Sequence, residues 1–512
     1  MNNSRNIVGF AAIFCAIIFS LWLGVNLVTD QQEILIKVAV GATLLFCILL
    51  GKKIWMILPL LGALNLSLPL PGNPTTLLVG QGIFICFSVL LIMTRQLKLK
   101  IKFSELGFWT LLLSLCVIQT YIRNPVGLNI LGGESVGARP YAFFTASLVC
   151  SMILGSFEIS AANLKWIIRL SVLGSLGNFT IQSIGFFVPR VGQVFGGNMQ
   201  ANEVLTVTKR AQFNDSSASR IGFLGAAGRD LSLMVGSFIS PIRACFHPLW
   251  APLVLISVAF AALSGFRNEI AAVGMTYLIS LAYRGGFISV FVASVTLTVG
   301  VGLIALINLT APLPPNVQRS LSFLPGTWDK IYVQDTQGST DWRVDMWKEA
   351  LFTDYWIHNK ILGDGLGMSK QELDYIQSFT YEETNLGAGV GKLSRQQEFM
   401  MVSGAYHSGP VSSVRVIGYV GLIVLLLAQI RLSVHAHRQI QRAKNSEWFP
   451  LTLFVGIPLI WAPVFFVLIG GDFGSAASSL MMGAAMVRIL ENNLPLPLPF
   501  NNQSSSLART TK

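Results

Sequence analysis

The stretch 286–308, "GFISVFVASVTLTVGVGLIALIN", contains no charged residue. About 20 such residues carry a helix across a hydrocarbon core. Apolar runs of this length recur from one end of the chain to the other. A bilayer offers the backbone no hydrogen-bonding partners, so only helices and closed barrels can span it. Barrel strands are short, alternating segments of about ten residues, whereas these runs are long and continuous. The expected fold is therefore an all-α polytopic membrane protein. Composition agrees: the 512 residues are 53% hydrophobic and only 12% charged, against about 25% charged in soluble domains.

Length and flanking residues predict about fourteen spans. They are expected at 7–28, 33–50, 54–70, 76–93, 105–121, 140–157, 164–188, 226–243, 247–264, 269–283, 286–308, 411–431, 448–470 and 473–490. The first is long for a signal peptide and no A-x-A site follows it, so it reads as a retained span. The short loops "GKK" (51–53), "TRQLKLKIK" (94–102) and "RLSVHAHRQIQRAK" (431–444) are basic and fall on one side by parity, which the positive-inside rule makes cytoplasmic. Both termini are then cytoplasmic. The tail 491–512 is rich in Pro, Ser and Asn and reads as disordered. Residues 1–308 thus hold eleven spans and the outer loops 122–139 and 189–225, residues 309–410 form one large outer loop, and 411–490 hold the last three spans. The loop is long enough to be functional or a small domain. It contains one helix-like piece, "STDWRVDMWKEALFTDYW", and a Gly-rich stretch, "NLGAGVGKL", read as mobile.

A net charge of +12 is what positive-inside loops and anionic lipid produce. No nucleic-acid motif accompanies it, so nucleic acid is not an expected partner. The six cysteines sit in or beside apolar runs and read as small packing residues. No metal or other cofactor is indicated.

The unusual residues sort onto the outer face: Arg139, Arg220, Arg267, Arg343, His407 and Arg415 lie at or near span ends there. The positive-inside rule does not account for arginines on that side. A guanidinium offers a planar fork of donors suited to phosphate, and histidine can accept a proton near neutral pH. A hydroxyl attacking a carbon that bears a diphosphate needs a base and cations for the departing charge. For each residue alone, headgroup contact or a surface charge explains the position equally well. Arg343 and Trp347 share a helix face and suit a cation–π or packing pair. "GDGLG" (363–367) reads as a phosphate cradle or as a plain turn, and His407 as a base or as a capping donor. Gly409 and Pro410 are expected to break the helix just above Val411. His358 lies away from a span boundary, and His435 and His437 belong to a basic loop.

Four stretches resemble the superfamily of O-antigen ligases and O-antigen (Wzy-type) polymerases, bacterial envelope glycosyltransferases. "SRIGFLGAAGRDLSLMVGSF" (219–238) resembles its Arg-x-x-Gly-x-x-x-x-Pro-Asn segment through Arg220, with Pro-Asn replaced. "LSGFRNEIAAVGM" (263–275) resembles its Ser-x-Ser-Arg-Gly turn through Arg267. "WRVDMWKEALFTDYWIHNKILGDGLG" (342–367) resembles its Arg-x-x-x-Trp-x-x-Ala…Gly-x-Gly pattern through Arg343, Trp347, Ala350, Gly363, Gly365 and Gly367. "GAYHSGPVSSVRVIGYVGL" (404–422) resembles its His-Asn…Gly-x-x-Gly-Leu segment through His407, Gly418, Gly421 and Leu422. Ser408 stands where the family has Asn, and Val416 where many members have Glu.

The resemblance implies a GT-C-like bundle under a periplasmic loop domain. It implies metal-independent, inverting transfer of a glycan from undecaprenyl diphosphate, with His407, Arg267 and Arg343 in catalysis. Arg220, Arg139, Arg415, Trp347, Gly365 and Gly367 would bind substrate. The acceptor would be another glycan or lipid A core, and membrane lipid, a chain-length regulator or a flippase of the same pathway would be partners. Ligase and polymerase, and lipopolysaccharide, capsule and exopolysaccharide, stay open. The competing reading is a polytopic transporter of a polysaccharide precursor or small solute. Against it stand the lack of repeated halves and of an ionisable pair in two related helices; Lys37 is the main charge within an expected span.

Overall fold

A computed structural model describes residues 47–68, 74–98, 104–126, 137–188, 220–368, 372 and 400–495. The first expected span, most of the second with Lys37, most of the loop 189–225, the Gly-rich 385–393 and most of the tail lie outside the described residues. Among the described residues the regular elements are helices. The chain enters through Cys47–Leu64, whose last part is α1 (Ile57–Leu64), and continues with α2 (Thr76–Met93), α3 (Glu105–Arg123), α4 (Arg139–Leu154) and α5 (Trp166–Phe187). Then come α6 (Gly222–Phe238), α7 (Ala251–Leu263), α8 (Arg267–Thr310), α9 (Pro315–Leu321), α10 (Lys330–Phe352), α11 (Gly409–Ala443), α12 (Phe449–Leu468) and α13 (Phe473–Asn493). Among the described residues, eight helices are long and apolar enough to cross a membrane, and Arg139–Leu154 and Ala251–Leu263 are shorter apolar helices.

Polar side chains start several of these helices where the apolar pattern begins. Thr75 Oγ1 accepts from the Leu78 amide at 3.3 Å, Ser104 Oγ from Gly107 at 3.1 Å and Asp472 Oδ1 from Ser475 at 2.8 Å. Each satisfies an amide that the first turn leaves without a partner. Glycines set how closely helices approach. A Cβ on Gly174 of α5 would stand 2.3 Å from the Leu60 carbonyl of α1, and one on Gly228 of α6 would stand 2.6 Å from the Ser257 carbonyl of α7.

At 44 residues α8 is far longer than a bilayer requires. Gly286, with φ 70° and ψ −167°, breaks it into two arms. By Asn316 and Ser320 the chain is back beside its starting point, donating to the Leu263 and Ala262 carbonyls at 3.2 and 2.9 Å. The break falls between the segments expected as spans at 269–283 and 286–308. The segment expected as one span at 226–243 ends earlier, at Phe238. A short turn of helix, Pro241–Cys245, follows it, because Pro241 cannot continue the α6 ladder.

The bundle has two polar ends. At the basic end, Glu105 meets Arg431 and His435, His435 meets Glu491, Lys165 meets Glu447, and Asn493 accepts from the Ile159 amide. At the loop end, the Ile221 amide donates to Ser264, Arg123 to Gly363, Leu366 to Tyr141 and Phe473 to Ser412. This grouping of span ends is the one that sequence parity requires.

Candidate functional site

A break in α11 organises the loop end. Its 35 residues would make a straight rod of about 50 Å, while the 20 of α12 reach only about 30 Å. Yet Gly409 at the start of α11 packs on Phe466 near the end of α12. Gly418, at φ 68° and ψ −178°, interrupts the helix and turns the first segment aside. The peptide groups released by the break are bonded by the loop 360–365. The amides of Tyr419 and Val420 donate to Lys360 and Ile361 at 2.8 and 3.2 Å, and the carbonyls of Arg415 and Val416 accept from Asp364 and Gly365 at 2.7 and 3.0 Å. A Cβ at Gly418 would lie 2.1 Å from the Ile361 carbonyl, and one at Gly363 2.4 Å from that of Val416. Both glycines have positive φ, which a side chain disfavours as well. "GDGLG" is thus a turn spliced into a broken helix. Its Asp364 carboxylate accepts from the His358 and Asn359 amides at 2.8 and 2.9 Å. The helix starts with Gly409 and Pro410, so the break expected above Val411 falls just before them. Both sit in its first turn, where a proline's missing amide costs nothing.

His407 stands just before that turn. Its backbone is left-handed, φ 50°, a conformation costing of order 1–3 kcal/mol for a non-glycine residue. Contacts on both sides hold it. The Trp347 indole donates to the Tyr406 carbonyl at 2.7 Å, and Ser408 caps α11 by accepting from the Val411 amide at 3.5 Å. The cap is therefore Ser408, not His407. Trp347 is positioned by α10, whose Arg343, Trp347 and Ala350 share a face. The fully buried Ala350 and Met346 bring that face against Met401, Tyr406 and Val411. Arg343 lies over the Trp342 ring at 5.5 Å rather than over Trp347, and Trp342 meets the His407 ring edge-on at 5.9 Å.

The loss of surrounding water, and then the positive charges of Arg343 and Arg220, hold the His407 pKa below its ordinary value. At neutral pH the imidazole is a neutral proton acceptor between guanidiniums. Arg220 is carried by the residues leading into α6, where the Ile221 amide bonds Ser264 at 2.8 Å, and it lies over the Phe266 ring at 5.4 Å. Arg267 follows Phe266 as the first residue of α8. Arg343 is linked to His407 through the Trp342 ring, Arg220 is near enough for its charge to act on His407, and Arg267 sits one residue beyond the ring on which Arg220 rests.

The other expected site residues stand elsewhere at this end. Arg415, 5% exposed, pairs with Glu372 at 2.7 Å and donates to the Gly365 carbonyl at 3.4 Å. Arg139 is buried at the start of α4 over the Phe143 ring. Gly365 and Gly367 have positive φ in the spliced turn, and a Cβ on Gly365 would strike the Tyr141 hydroxyl. Sequence reading missed the rings of Phe266 and Trp342, each adjacent to a singled-out arginine. It also missed an ion pair below the cluster: Arg229 of α6 reaches both oxygens of Glu269 of α8 at 3.4 Å. Gly225 makes room for that carboxylate, since a Cβ there would lie 2.5 Å from Glu269 Cγ. "GRD" and "RNE" had signalled charge within apolar runs.

No family model matches the chain, and no curated protein matches it.

Proposed function

We propose that the chain is a membrane glycosyltransferase of the O-antigen ligase and polymerase kind, acting at the periplasmic face of the bacterial inner membrane. In this reading the fold is GT-C-like with about fourteen spans, both termini are cytoplasmic, and the loop end faces the periplasm. The observation that carries it is the chain Arg343–Trp342–His407 at the loop end, with the charge of Arg220, from a segment far away in sequence, acting on the same imidazole.

The chemistry follows from those groups. An acceptor hydroxyl oxygen attacks the anomeric carbon of a glycan on undecaprenyl diphosphate. The new glycosidic C–O bond forms as the bond to the diphosphate breaks, with inversion. The hydroxyl proton passes to the neutral His407 imidazole, and the electron pair leaves with the diphosphate. Arg220, Arg267 and Arg343 receive that charge, as preorganised cations do at a developing anion. Trp347 acts through the Tyr406 carbonyl as a positioning residue. The test is glycan transfer in membranes that hold the lipid-linked donor, with His407→Ala compared at matched expression. Unchanged transfer would remove His407 from the chemistry.

The Arg229–Glu269 pair supports a second reading, a carrier, because ionisable groups among membrane helices mark ion or substrate paths. Uptake of a radiolabelled solute into vesicles holding the pure protein, abolished in Glu269→Gln and without glycan transfer, would favour it.

A further inference from the structure

The turn 359–363 is irregular, yet each of its carbonyls is bonded. The Asn359 carbonyl accepts from Gly363 at 2.7 Å, and its side chain accepts from the Leu362 amide at 2.9 Å. The carbonyls of Lys360 and Ile361 accept from α11, and that of Leu362 from Gln119 Nε2 at 2.7 Å at the end of α3. Irregular backbone tolerates hydrocarbon only when its polar groups are satisfied in this way. The side chains on the turn are nonetheless apolar and open: Ile361 is 64% exposed and Leu362 38%. They lie level with the last turn of α3, where Ile122 is 73% exposed, and with the start of the second α11 segment, where Val420 and then Ile423 are exposed. These side chains belong to spans whose open apolar faces suit lipid, so Ile361 and Leu362 extend one continuous apolar strip. Arg123, exposed beside Ile122, borders the strip and donates to the Leu362 and Gly363 carbonyls. Lys360 pairs with Asp354, and Asp354 and His358 are exposed before the turn.

We propose that residues 360–362 form a lip seated in the headgroup–acyl boundary of the leaflet at the loop end, with phospholipid of the host bilayer as its partner. The lip holds the splice of α11 at a fixed depth. This inference is independent of the glycosyl-transfer reading, because it needs only the bundle and a bilayer.

The experiment is photo-crosslinking of the full chain in vesicles of phosphatidylethanolamine and phosphatidylglycerol. The variants are Ile361→p-benzoylphenylalanine, Leu362→p-benzoylphenylalanine, Ile423→p-benzoylphenylalanine as the membrane control and His358→p-benzoylphenylalanine as the aqueous control. Phospholipid adducts are read by mass spectrometry. Adducts at 361 or 362 approaching those at 423, and several-fold above those at 358, support the lip. Adducts at 423 with none at either 361 or 362 overturn it, as does crosslinking of 361 and 362 to another part of the chain or to a second copy. Two positions are used so that misfolding of one variant leaves the other to decide.

Discussion

His407 and His435 stand at opposite ends of the bundle in opposite company. His435 presents both ring nitrogens to carboxylates, Nδ1 to Glu491 at 2.9 Å and Nε2 to Glu105 at 3.3 Å. The two carboxylates favour the doubly protonated ring, and His435 ties α3, α11 and α13 together. His407 instead shares its surroundings with Arg343 and Arg220, and its strained backbone is held by Trp347 and Ser408. One residue type is a structural charge at the basic end and a neutral proton acceptor at the loop end. Burial and the charges of the neighbours make the difference.

The sharpest way to break this contrast is to remove each ring in turn. His407→Ala should lower glycan transfer by about 10²–10⁴-fold, the usual worth of a general base. His435→Ala should leave turnover per folded molecule near normal and lower thermal stability instead. Equal losses of turnover in both variants would erase the distinction.

Next in size is the splice, which only the loop end possesses. Gly418→Val places a branched side chain where even a Cβ meets the Ile361 carbonyl. It should cost about 3 kcal/mol or more, as overpacking and backbone strain combine. A lower thermal midpoint and a lower yield of folded protein in detergent would report it; a normal midpoint would mean that the break is dispensable.

A smaller effect is expected from Trp347→Phe, which keeps the ring and removes the donor to Tyr406. The loss should be about 1–2 kcal/mol of stability, with a fall in kcat at unchanged donor KM because His407 is no longer held. If kcat is untouched, Trp347 only packs.

The smallest effect is a shift in pH. His407 works when neutral and its pKa is depressed, so activity should persist as pH falls through the ordinary histidine value of about 6.5 and fail only below it. Arg343→Gln removes a neighbouring charge, raises the His407 pKa and moves the acid limb of the profile upward. The same depression makes acidification below about 6.5 destabilising, since the unfolded chain takes up the proton first. A limb that stays in place in Arg343→Gln would show that His407 does not titrate in it.

The sequence displayed much of this arrangement and concealed its joints. Span alternation was readable because apolar length and basic loops are strong, local signals. The approach of Arg220, Arg343 and His407 was readable because each lies at a span end on the same side. Gly418 was not, because "VRVIGYVGL" reads as ordinary apolar helix and the loop that bonds its broken turn lies dozens of residues earlier. The pairing of Arg415 was concealed because its partner Glu372 is 43 residues away. Glu269 and Arg229 were hidden for the same reason, being adjacent only once α6 lies on α8.

The splice also has a consequence for how the chain is made. Residues 360–365 leave the ribosome before residues 415–420, and they stand across the bilayer from it when the loop end is the translocated one. Until that earlier segment arrives, the amides of Tyr419 and Val420 have none of the carbonyls they bond in the finished protein. In that orientation, the closing of the broken turn in α11 waits on the export of the loop before it.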